Sequence, residues 1–293
     1  MANASDRLLG WIFDVAQGRF ARKDAIGAER MGERLGMLAY KLDKKHRFRA
    51  EENLKLAFPE RDAAWAAETA MESFRHFGRL AGDLMRSPNR SDEEVLASLD
   101  VPAHALQYLS HADGRGTLVC TGHHGNWERA AHWVTASGHK LSVVVRHVNQ
   151  PGLQERVEGL RKTAGIDVLS RGDAAMGMMR KLRRGEMVAV LPDQNASDAF
   201  VPFFGHQTGT VIGPAVLAQR TNAFILPAFC LRTGPGKYRV VVDEPIDLTK
   251  TPMDPVETMA AYYRALEAAV RQAPEQYLWM HDRWKSSRRR GKL

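Results

Sequence analysis

Residues 117–145 read TLVCTGHHGNWERAAHWVTASGHKLSVVV, and their pattern is the most informative in the sequence about the fold. It begins with a short apolar run, TLVC (117–120), and ends with a second one, LSVVV (141–145). Between them, residues 126–137 have the composition of a helix. Two apolar runs on either side of a helix of about 10–15 residues are typical of a βαβ unit, whose strands are parallel. The stretch therefore predicts two parallel strands joined by a helix.

The alternation of apolar and helical segments continues to residue 272. Further apolar runs are DVL (167–169), MVAVL (187–191), AFILPAFCL (223–231) and YRVVV (238–242), and helical segments lie at 151–164, 173–184, 212–221 and 255–272. The YRVVV run is predicted to pair antiparallel with the run before it. We therefore predict an α/β protein with a largely parallel central sheet flanked by helices.

The first hundred residues have a different pattern, in which apolar residues recur at helical spacing. Helices are predicted at 28–42, 49–58 and 62–85, and Asp62 is the predicted N-cap of the last one. We therefore divide the chain into an N-terminal helical extension (residues 1–100), an α/β core (101–285) and a basic tail (286–293).

The segment Leu8–Gln17 in this extension is predicted to be an amphipathic helix with Trp11 and Phe13 on its apolar side. Such a helix can lie in a membrane interface, or it can dock on the protein's own core, and the sequence leaves both alternatives open. No run of about 18 apolar residues occurs, so we expect no spanning helix. The uncharged stretch 199–219 is long enough but is interrupted by glycine, histidine and proline.

The composition describes a folded globular chain, since 44% of its 293 residues are hydrophobic and 26% are charged. The formal charge is +8, and six Lys/Arg against one Asp in residues 281–293 supply most of it. This balance favours anionic membrane surfaces, phosphorylated substrates or an acidic carrier protein. No recognition motif for nucleic acid is present, and we expect no such partner. Cys120 and Cys230 lie in apolar runs, which indicates a reducing compartment.

Polar or ionisable residues follow four of the predicted strands. His123 and His124 follow the first, and the others are Arg146 with His147, Ser170 with Arg171, and Asp193. Ligands of open α/β sheets bind outside the carboxyl ends of the strands. We therefore predict that these loops line one crevice, where Arg146 contacts an anionic group such as a phosphate. The alternatives are a surface arginine and an aspartate that caps a turn.

His123 and Glu128 have the spacing H-x4-E. A carboxylate on one imidazole nitrogen fixes the tautomer and leaves the other nitrogen as a general base, which suits removal of a proton from an alcohol. Gly125 permits the tight passage between the two residues. His46 and Glu51 have the same spacing in a charged helical stretch. Spacing alone is therefore weak, and the position at a strand end is what favours His123.

A metal site is the rival interpretation of this loop. His124 and Glu128 are four residues apart and can share a helix face, with His147 or Asp193 completing a ligand set. However, HHGNWE lacks the second histidine of H-E-x-x-H, and no cysteine cluster supports a metal. We expect no metal and no other cofactor.

Five blocks of sequence, in order, resemble the bacterial acyltransferases of lipid A biosynthesis and their relatives that acylate phosphatidylinositol mannosides. The similarity runs from about residue 49 to the end. The blocks are TGHHGNWE (121–128), VVVRHVNQP (143–151), LPDQN (191–195), PFFGHQTGTVIGPAVLAQRTNA (202–223) and APEQYLWMHDRWK (273–285). Five ordered blocks are far more specific than any one of them. One departure is His147, which stands where the family commonly has proline.

The resemblance implies a glycerolipid acyltransferase-like fold with His123 as general base and Glu128 as its partner. It also implies that Arg146 and Asp193 contribute to substrate binding or site architecture, and we add Arg171 and Asn126 as candidates, the latter as an oxyanion donor. Family members transfer a fatty acyl group from acyl carrier protein or acyl-CoA to a glycolipid hydroxyl at the cytoplasmic face of the inner membrane. The weak N-terminal hydrophobic segment then indicates peripheral attachment.

Two questions remain open at this point. The first is the acceptor, which is a lipid A precursor, a mannosylated phosphoinositide or another glycolipid. The second is the class of protein, which is an acyltransferase, a non-catalytic protein that binds lipid or carrier, or a metal-dependent hydrolase.

Overall fold

Seven of the strands in the described residues form one sheet. The computed structural model describes residues 4–109, 113–144, 151–169 and 174–293. The strands are β1 (Leu99–Asp100), β2 (Thr117–Cys120), β3 (Leu141–Val144), β4 (Asp167–Leu169), β5 (Met187–Val190), β6 (Ala199–Phe203), β7 (His206–Thr210), β8 (Phe224–Gly234) and β9 (Lys237–Val242). Their order in the main sheet is β1-β9-β8-β2-β5-β3-β4, and only β8 and β9 pair antiparallel. The predicted α/β fold with a largely parallel sheet is confirmed.

Helices flank this sheet and make up most of the first hundred residues. They are α1 (Ala4–Ala21), α2 (Ala25–Leu42), α3 (Lys44–Ala57), α4 (Ala63–Met85), α5 (Asp92–Ser98), α6 (Ala103–Leu106), α7 (Trp127–Ala136), α8 (Pro151–Thr163), α9 (Ala174–Arg183), α10 (Gly213–Thr221), α11 (Pro255–Gln272) and α12 (Lys285–Arg289). Aspartates cap three of the N-terminal helices, and Asp62 accepts a hydrogen bond from the backbone N–H of Trp65, as predicted.

The N-terminal helices share a hydrophobic core with the sheet. Leu54 of α3 and Phe74 of α4 belong to the same buried cluster as Leu118 of β2 and Leu266 of α11. Burial of these apolar side chains is the main stabilising contribution to the fold. The boundary that the sequence suggests at residue 100 stays a prediction.

Helix α1 docks on the rest of the protein and also leaves apolar side chains exposed. Phe20 is buried, and Asp14 pairs with Arg156 of α8 through two hydrogen bonds of 2.6 and 2.8 Å. At the same time, Trp11 is 62% exposed and Leu8 is 57% exposed. Within the part of the chain that the structure describes, no helix has the length and apolarity to cross a bilayer.

A second, smaller sheet is the antiparallel hairpin β6–β7, which the sequence analysis did not predict. Its turn contains Phe204 and Gly205, both with positive φ (51° and 73°). Phe203 is fully buried, and its ring contacts Tyr263 of α11 and Trp284. This hairpin therefore connects the C-terminal segment to the core.

Candidate active site

His123 and Asp193 lie side by side at the carboxyl edge of the sheet because β2 and β5 are neighbouring parallel strands. Their register places Cys120 opposite Val190, the last residue of each strand. His123 comes three residues after Cys120, and Asp193 comes three residues after Val190. Equal distances beyond paired strand ends bring the two side chains together.

The carboxylate of Asp193 accepts two hydrogen bonds from His123. The ring Nδ1 is 2.8 Å from Oδ1, and the backbone N–H donates to Oδ2 at 2.8 Å. Asp193 is buried, whereas 21% of the His123 side chain is exposed. A carboxylate on Nδ1 stabilises the tautomer that carries its proton there, which makes Nε2 the basic atom. The amide nitrogen of Gln194 is 3.5 Å from Nε2.

Asp193 remains ionised despite its burial. Burial alone would raise its pKa, but the charge of His123, the hydrogen bonds from the His123 ring and backbone, and the charge of Arg283 together lower the pKa below its ordinary value. A carboxylate held in its charged form stabilises an imidazolium on His123. The pair therefore has the electrostatics of a general base and its orienting partner.

Glu128 is placed differently from what the H-x4-E spacing predicted, because the carboxylate that bonds the ring of His123 belongs to Asp193. Glu128 is buried and forms an ion pair with Arg161 of α8, with atoms 2.5 Å apart. Helix α7 begins at Trp127, whose ring lies edge-on to His123 at 5.2 Å. Consecutive helical residues point about 100° apart, so Glu128 is directed toward α8. Its Oε1 also accepts the indole N–H of Trp127 at 3.1 Å.

Of the other predicted site residues, Asn126 lies inside the protein, and the two arginines lie outside the described residues. Asn126 is buried and caps α7 by accepting from the N–H of Arg129, and its amide nitrogen donates to Asp83 at 2.9 Å. Both ends of its side chain are therefore engaged inside the protein. Arg146 and Arg171 lie outside the described residues, as do His147 and Ser170.

His124 is not positioned as the metal interpretation requires. It is fully buried, and its Nε2 is 3.0 Å from the carbonyl oxygen of Ala269. Burial lowers its pKa to about 4. In the ranges that the structure describes, no three His, Cys, Asp or Glu side chains are grouped as a metal site.

The loop after β2 is held by segments distant in sequence, which the sequence analysis did not connect with it. The N–H of Gly125 donates to the carbonyl of Gln276 at 3.1 Å, and the N–H of Leu278 donates to the carbonyl of His123 at 3.0 Å. His76 of α4 lies 3.0 Å from the carbonyl oxygen of Gly125. Gly125 has φ +65°, and a Cβ there would lie 2.1 Å from the carbonyl oxygen of Cys230. Glycine is required at this position.

An apolar groove of about 360 Å³ lies between α2 and α4. Phe74, Phe77 and Met280 line it, together with Leu35 and Ala39. The ring of Phe77 is 6.2 Å from the ring of Trp127, which in turn contacts His123. A continuous series of apolar side chains therefore runs from the groove to the imidazole.

An imidazole that is hydrogen-bonded at Nδ1 to a buried carboxylate, and linked through Trp127 and Phe77 to an apolar groove, has the arrangement that general-base chemistry on a substrate with an apolar part requires. A sequence model of the family described as bacterial lipid A biosynthesis acyltransferase matches residues 26–286. The chain belongs to this family, and it is an acyltransferase of the class that transfers groups other than aminoacyl groups.

Individual relatives support the same assignment. The chain is 25% identical over 261 residues to the lipid A biosynthesis palmitoleoyltransferase of Escherichia coli K12, covering 87% of this chain and 84% of that protein. It is 27% identical over 263 residues to the lipid A biosynthesis lauroyltransferase of the same organism, covering 88% and 85%. The phosphatidylinositol mannoside acyltransferase of Mycobacterium tuberculosis is 27% identical over 172 residues, covering 56% of this chain and 54% of that protein.

Proposed function

We propose that the protein transfers a fatty acyl group from an acyl thioester, carried by acyl carrier protein or coenzyme A, to a hydroxyl of a lipid A precursor. The observation that carries this proposal is the hydrogen bond between His123 Nδ1 and the buried carboxylate of Asp193. The relatives described above are named as a lipid A biosynthesis palmitoleoyltransferase and a phosphatidylinositol mannoside acyltransferase. A mannosylated phosphoinositide or another glycolipid is the alternative acceptor.

The reaction proceeds by direct transfer. Nε2 of His123 removes the proton of the acceptor hydroxyl as its oxygen bonds to the thioester carbon, and Asp193 stabilises the resulting imidazolium. The tetrahedral intermediate then breaks its C–S bond, and the thiolate leaves with the proton from Nε2. Glu128 contributes by fixing Trp127, whose ring packs against His123. Arg146 and Arg171 remain proposed contacts for the phosphates of the substrates.

The apolar groove between α2 and α4 supports a lipid substrate. A fatty acyl chain consists of CH₂ groups, each of which gains about 0.8 kcal/mol on leaving water. The series Phe77–Trp127–His123 connects the groove with the reacting centre. The net charge of +8 favours approach of an acidic carrier protein or a phosphorylated acceptor.

We also propose that the protein works at an anionic membrane surface, the cytoplasmic face of the inner membrane, and attaches to it peripherally. Exposed apolar side chains on the N-terminal helices support this; they are Leu8, Leu9, Trp11 and Ile12 of α1, Ile26, Leu35, Leu38 and Leu42 of α2, and Phe48 of α3. Lys41, Lys44 and Lys45 are exposed among them. Apolar insertion combined with basic residues is how surface helices bind anionic lipid.

The test of the catalytic assignment is acyl transfer by the purified protein. Labelled acyl carrier protein or acyl-CoA is supplied with a panel of glycolipid acceptors, without added metal. We expect His123→Ala and Asp193→Asn to reduce kcat by about 10³-fold or more, as is typical of losing a general base or the carboxylate that orients it.

The matched control is His104→Ala, since His104 is exposed on α6. This variant should transfer acyl groups at the wild-type rate. A wild-type protein that binds acyl thioester and acceptor but forms no product on any acceptor would identify a binding protein instead. Full activity in Asp193→Asn would refute the assigned pair.

A further inference from the structure

Two adjacent tyrosines of α11 bond the backbone of both strand ends that carry the proposed catalytic pair. The hydroxyl of Tyr262 donates to the carbonyl oxygen of Thr121 at 2.6 Å, and the hydroxyl of Tyr263 donates to that of Pro192 at 3.1 Å. Thr121 lies two residues before His123, and Pro192 immediately precedes Asp193. One helical turn therefore contacts both loops.

The two hydroxyls act as donors. Tyr262 and Tyr263 are fully buried, and burial raises the pKa of both above the ordinary value, so each hydroxyl keeps its proton. The guanidinium of Arg283, itself buried, donates to the hydroxyl oxygen of Tyr263. Because a guanidinium has no acceptor atom, the tyrosine proton is directed away from Arg283, and the carbonyl oxygen of Pro192 is an acceptor within its reach.

Close packing around these bonds leaves little room for the two loops to move. A Cβ on Gly122 would lie 3.0 Å from Cδ1 of Leu266 on α11 and 3.4 Å from Oδ2 of Asp193. The rings of Tyr262 and Tyr263 contact each other with centroids 5.2 Å apart. The helix therefore supports the loops from one side with both packing and hydrogen bonds.

We propose that Tyr262 and Tyr263 are positioning residues for acyl transfer, which set the separation of His123 and Asp193 by holding the carbonyl groups of Thr121 and Pro192. This inference rests on the proposed function. The hydrogen bond from His123 Nδ1 to Asp193 Oδ1 requires the two loops to keep their relative positions at the edge of the sheet. A displacement of about 1 Å in such a pair can reduce the rate by about a hundredfold.

The experiment compares Tyr262→Phe, Tyr263→Phe and the double variant with Tyr238→Phe. Tyr238 is a matched control because it is also buried, and its hydroxyl donates to Oε1 of Glu29 at 3.0 Å, on the N-terminal helix α2. All the single variants lose one buried hydroxyl, so we expect similar falls in melting temperature. The catalytic readouts are kcat and KM as functions of pH.

We expect each α11 variant to reduce kcat by about tenfold and the double variant by more, with KM changed by less than about twofold. The acid limb of the kcat profile should shift, because a loosened Asp193 no longer stabilises the imidazolium of His123 to the same extent. Tyr238→Phe should keep the wild-type kcat and profile. A double variant that folds and behaves like Tyr238→Phe in kcat and profile refutes the proposal.

A second readout separates failure of this inference from failure of the proposed function. Nitrogen-15 NMR of labelled histidine, assigned with His123→Gln, reports the Nδ1–H hydrogen bond whether or not an acceptor is known. The bond should weaken in the α11 variants and persist in Tyr238→Phe. If the wild type transfers no acyl group, the proposed function fails, and a weakened bond still supports the positioning role. An unchanged bond in the double variant contradicts it.

Discussion

His123 is fixed at two points by one carboxylate, since both its ring and its backbone N–H bond Asp193. The hydrogen bond of the backbone N–H holds the loop next to Asp193, and the hydrogen bond of the ring restricts rotation of the His123 side chain. Because this geometry exists before the substrate reacts, little free energy is needed to reorganise the site during the reaction, which is the advantage of a preorganised site. The strand register produces this geometry without a special loop conformation at Asp193.

Glu128 and Arg161 form a largely buried ion pair whose two partners depend on each other. We expect Glu128→Gln to lower the free energy of unfolding by about 3–5 kcal/mol, because Arg161 would keep a charge in a poorly hydrated place. Glu128→Gln combined with Arg161→Gln should recover a large part of this loss. Denaturant unfolding of both variants, followed by circular dichroism, measures the difference.

Glu52→Gln is the control for that substitution, since the pair of Glu52 with Lys55 is about half exposed and such pairs contribute roughly 0–1 kcal/mol. Glu128→Gln with wild-type stability would contradict the buried-pair argument. If that stable variant also lost kcat as fully as Asp193→Asn, Glu128 would act on His123 directly, as its spacing suggests.

The sequence predicted both residues of the pair as strand-end residues, but it did not predict that they bond each other. The H-x4-E spacing drew attention to Glu128, which is close in sequence, whereas Asp193 is seventy residues away from His123. Pairing of β2 with β5 places Asp193 next to His123. The order of strands in a sheet is a tertiary property, which hydrophobic periodicity does not predict. The equal spacing of His123 and Asp193 beyond their strands becomes informative only once the order of the strands in the sheet is known.

At the scale of elements, α2 and α4 cross so closely that glycines are required at the contact. A Cβ on Gly36 would lie 2.2 Å from the carbonyl oxygen of Phe74, and one on Gly32 would lie 2.1 Å from that of Gly78. The clash is with backbone, which cannot rotate away. This crossing also forms one wall of the apolar groove, so its geometry matters to the substrate as well as to the fold.

Gly36→Ala should therefore lower the free energy of unfolding by about 1–3 kcal/mol, since overpacking outweighs the gain of about 1 kcal/mol in helix propensity. Gly18→Ala in α1 is the matched control, because among the residues that the structure describes no atom outside its own stretch of helix lies within 4 Å of the position of its Cβ. That variant should be neutral or stabilised. Thermal unfolding of both proteins decides, and equal stability of the two variants would contradict the close crossing.

Elements with a strong local signal were predicted from the sequence, and elements without it, such as the β6–β7 hairpin, were missed. The strand β2 and the capped helix α4 follow from periodicity and from Asp62. The hairpin β6–β7 was missed because Phe204 has positive φ, which is uncommon for a bulky residue and has no marker of its own. Tertiary contacts make that turn favourable, among them those of Phe203 with Tyr263 and Trp284 and the hydrogen bond from the Phe204 N–H to Glu267 of α11.

At the scale of the whole molecule, the exposed apolar residues are concentrated on the N-terminal helices rather than spread over the surface. Leu42 is 72% exposed and Phe48 is 64% exposed, on either side of the corner between α2 and α3. The same α2 lines the groove that leads toward His123. The proposed membrane attachment through these helices would bring acyl chains to the side of the molecule on which α2 lies.

Membrane attachment through these helices predicts binding to vesicles that contain phosphatidylglycerol. Replacing Leu38 and Leu42 together by Glu should weaken the partition coefficient about tenfold or more, because apolar area is lost and negative charge is added near anionic lipid. Replacing Trp11 and Ile12 by Glu should have a similar effect through α1. Co-sedimentation with vesicles measures both coefficients.

Leu106→Glu is the matched control for these substitutions, since Leu106 is half exposed on α6 and is not among the apolar residues of the N-terminal helices. Wild type and control should bind equally, and both should bind phosphatidylcholine vesicles more weakly, because the lysines then have no anionic partner. Salt should weaken binding to the anionic vesicles and leave the apolar contribution. If the Leu38/Leu42 and Trp11/Ile12 variants both bind like Leu106→Glu, the membrane contacts some other face, and the groove receives its acyl chain from the carrier alone.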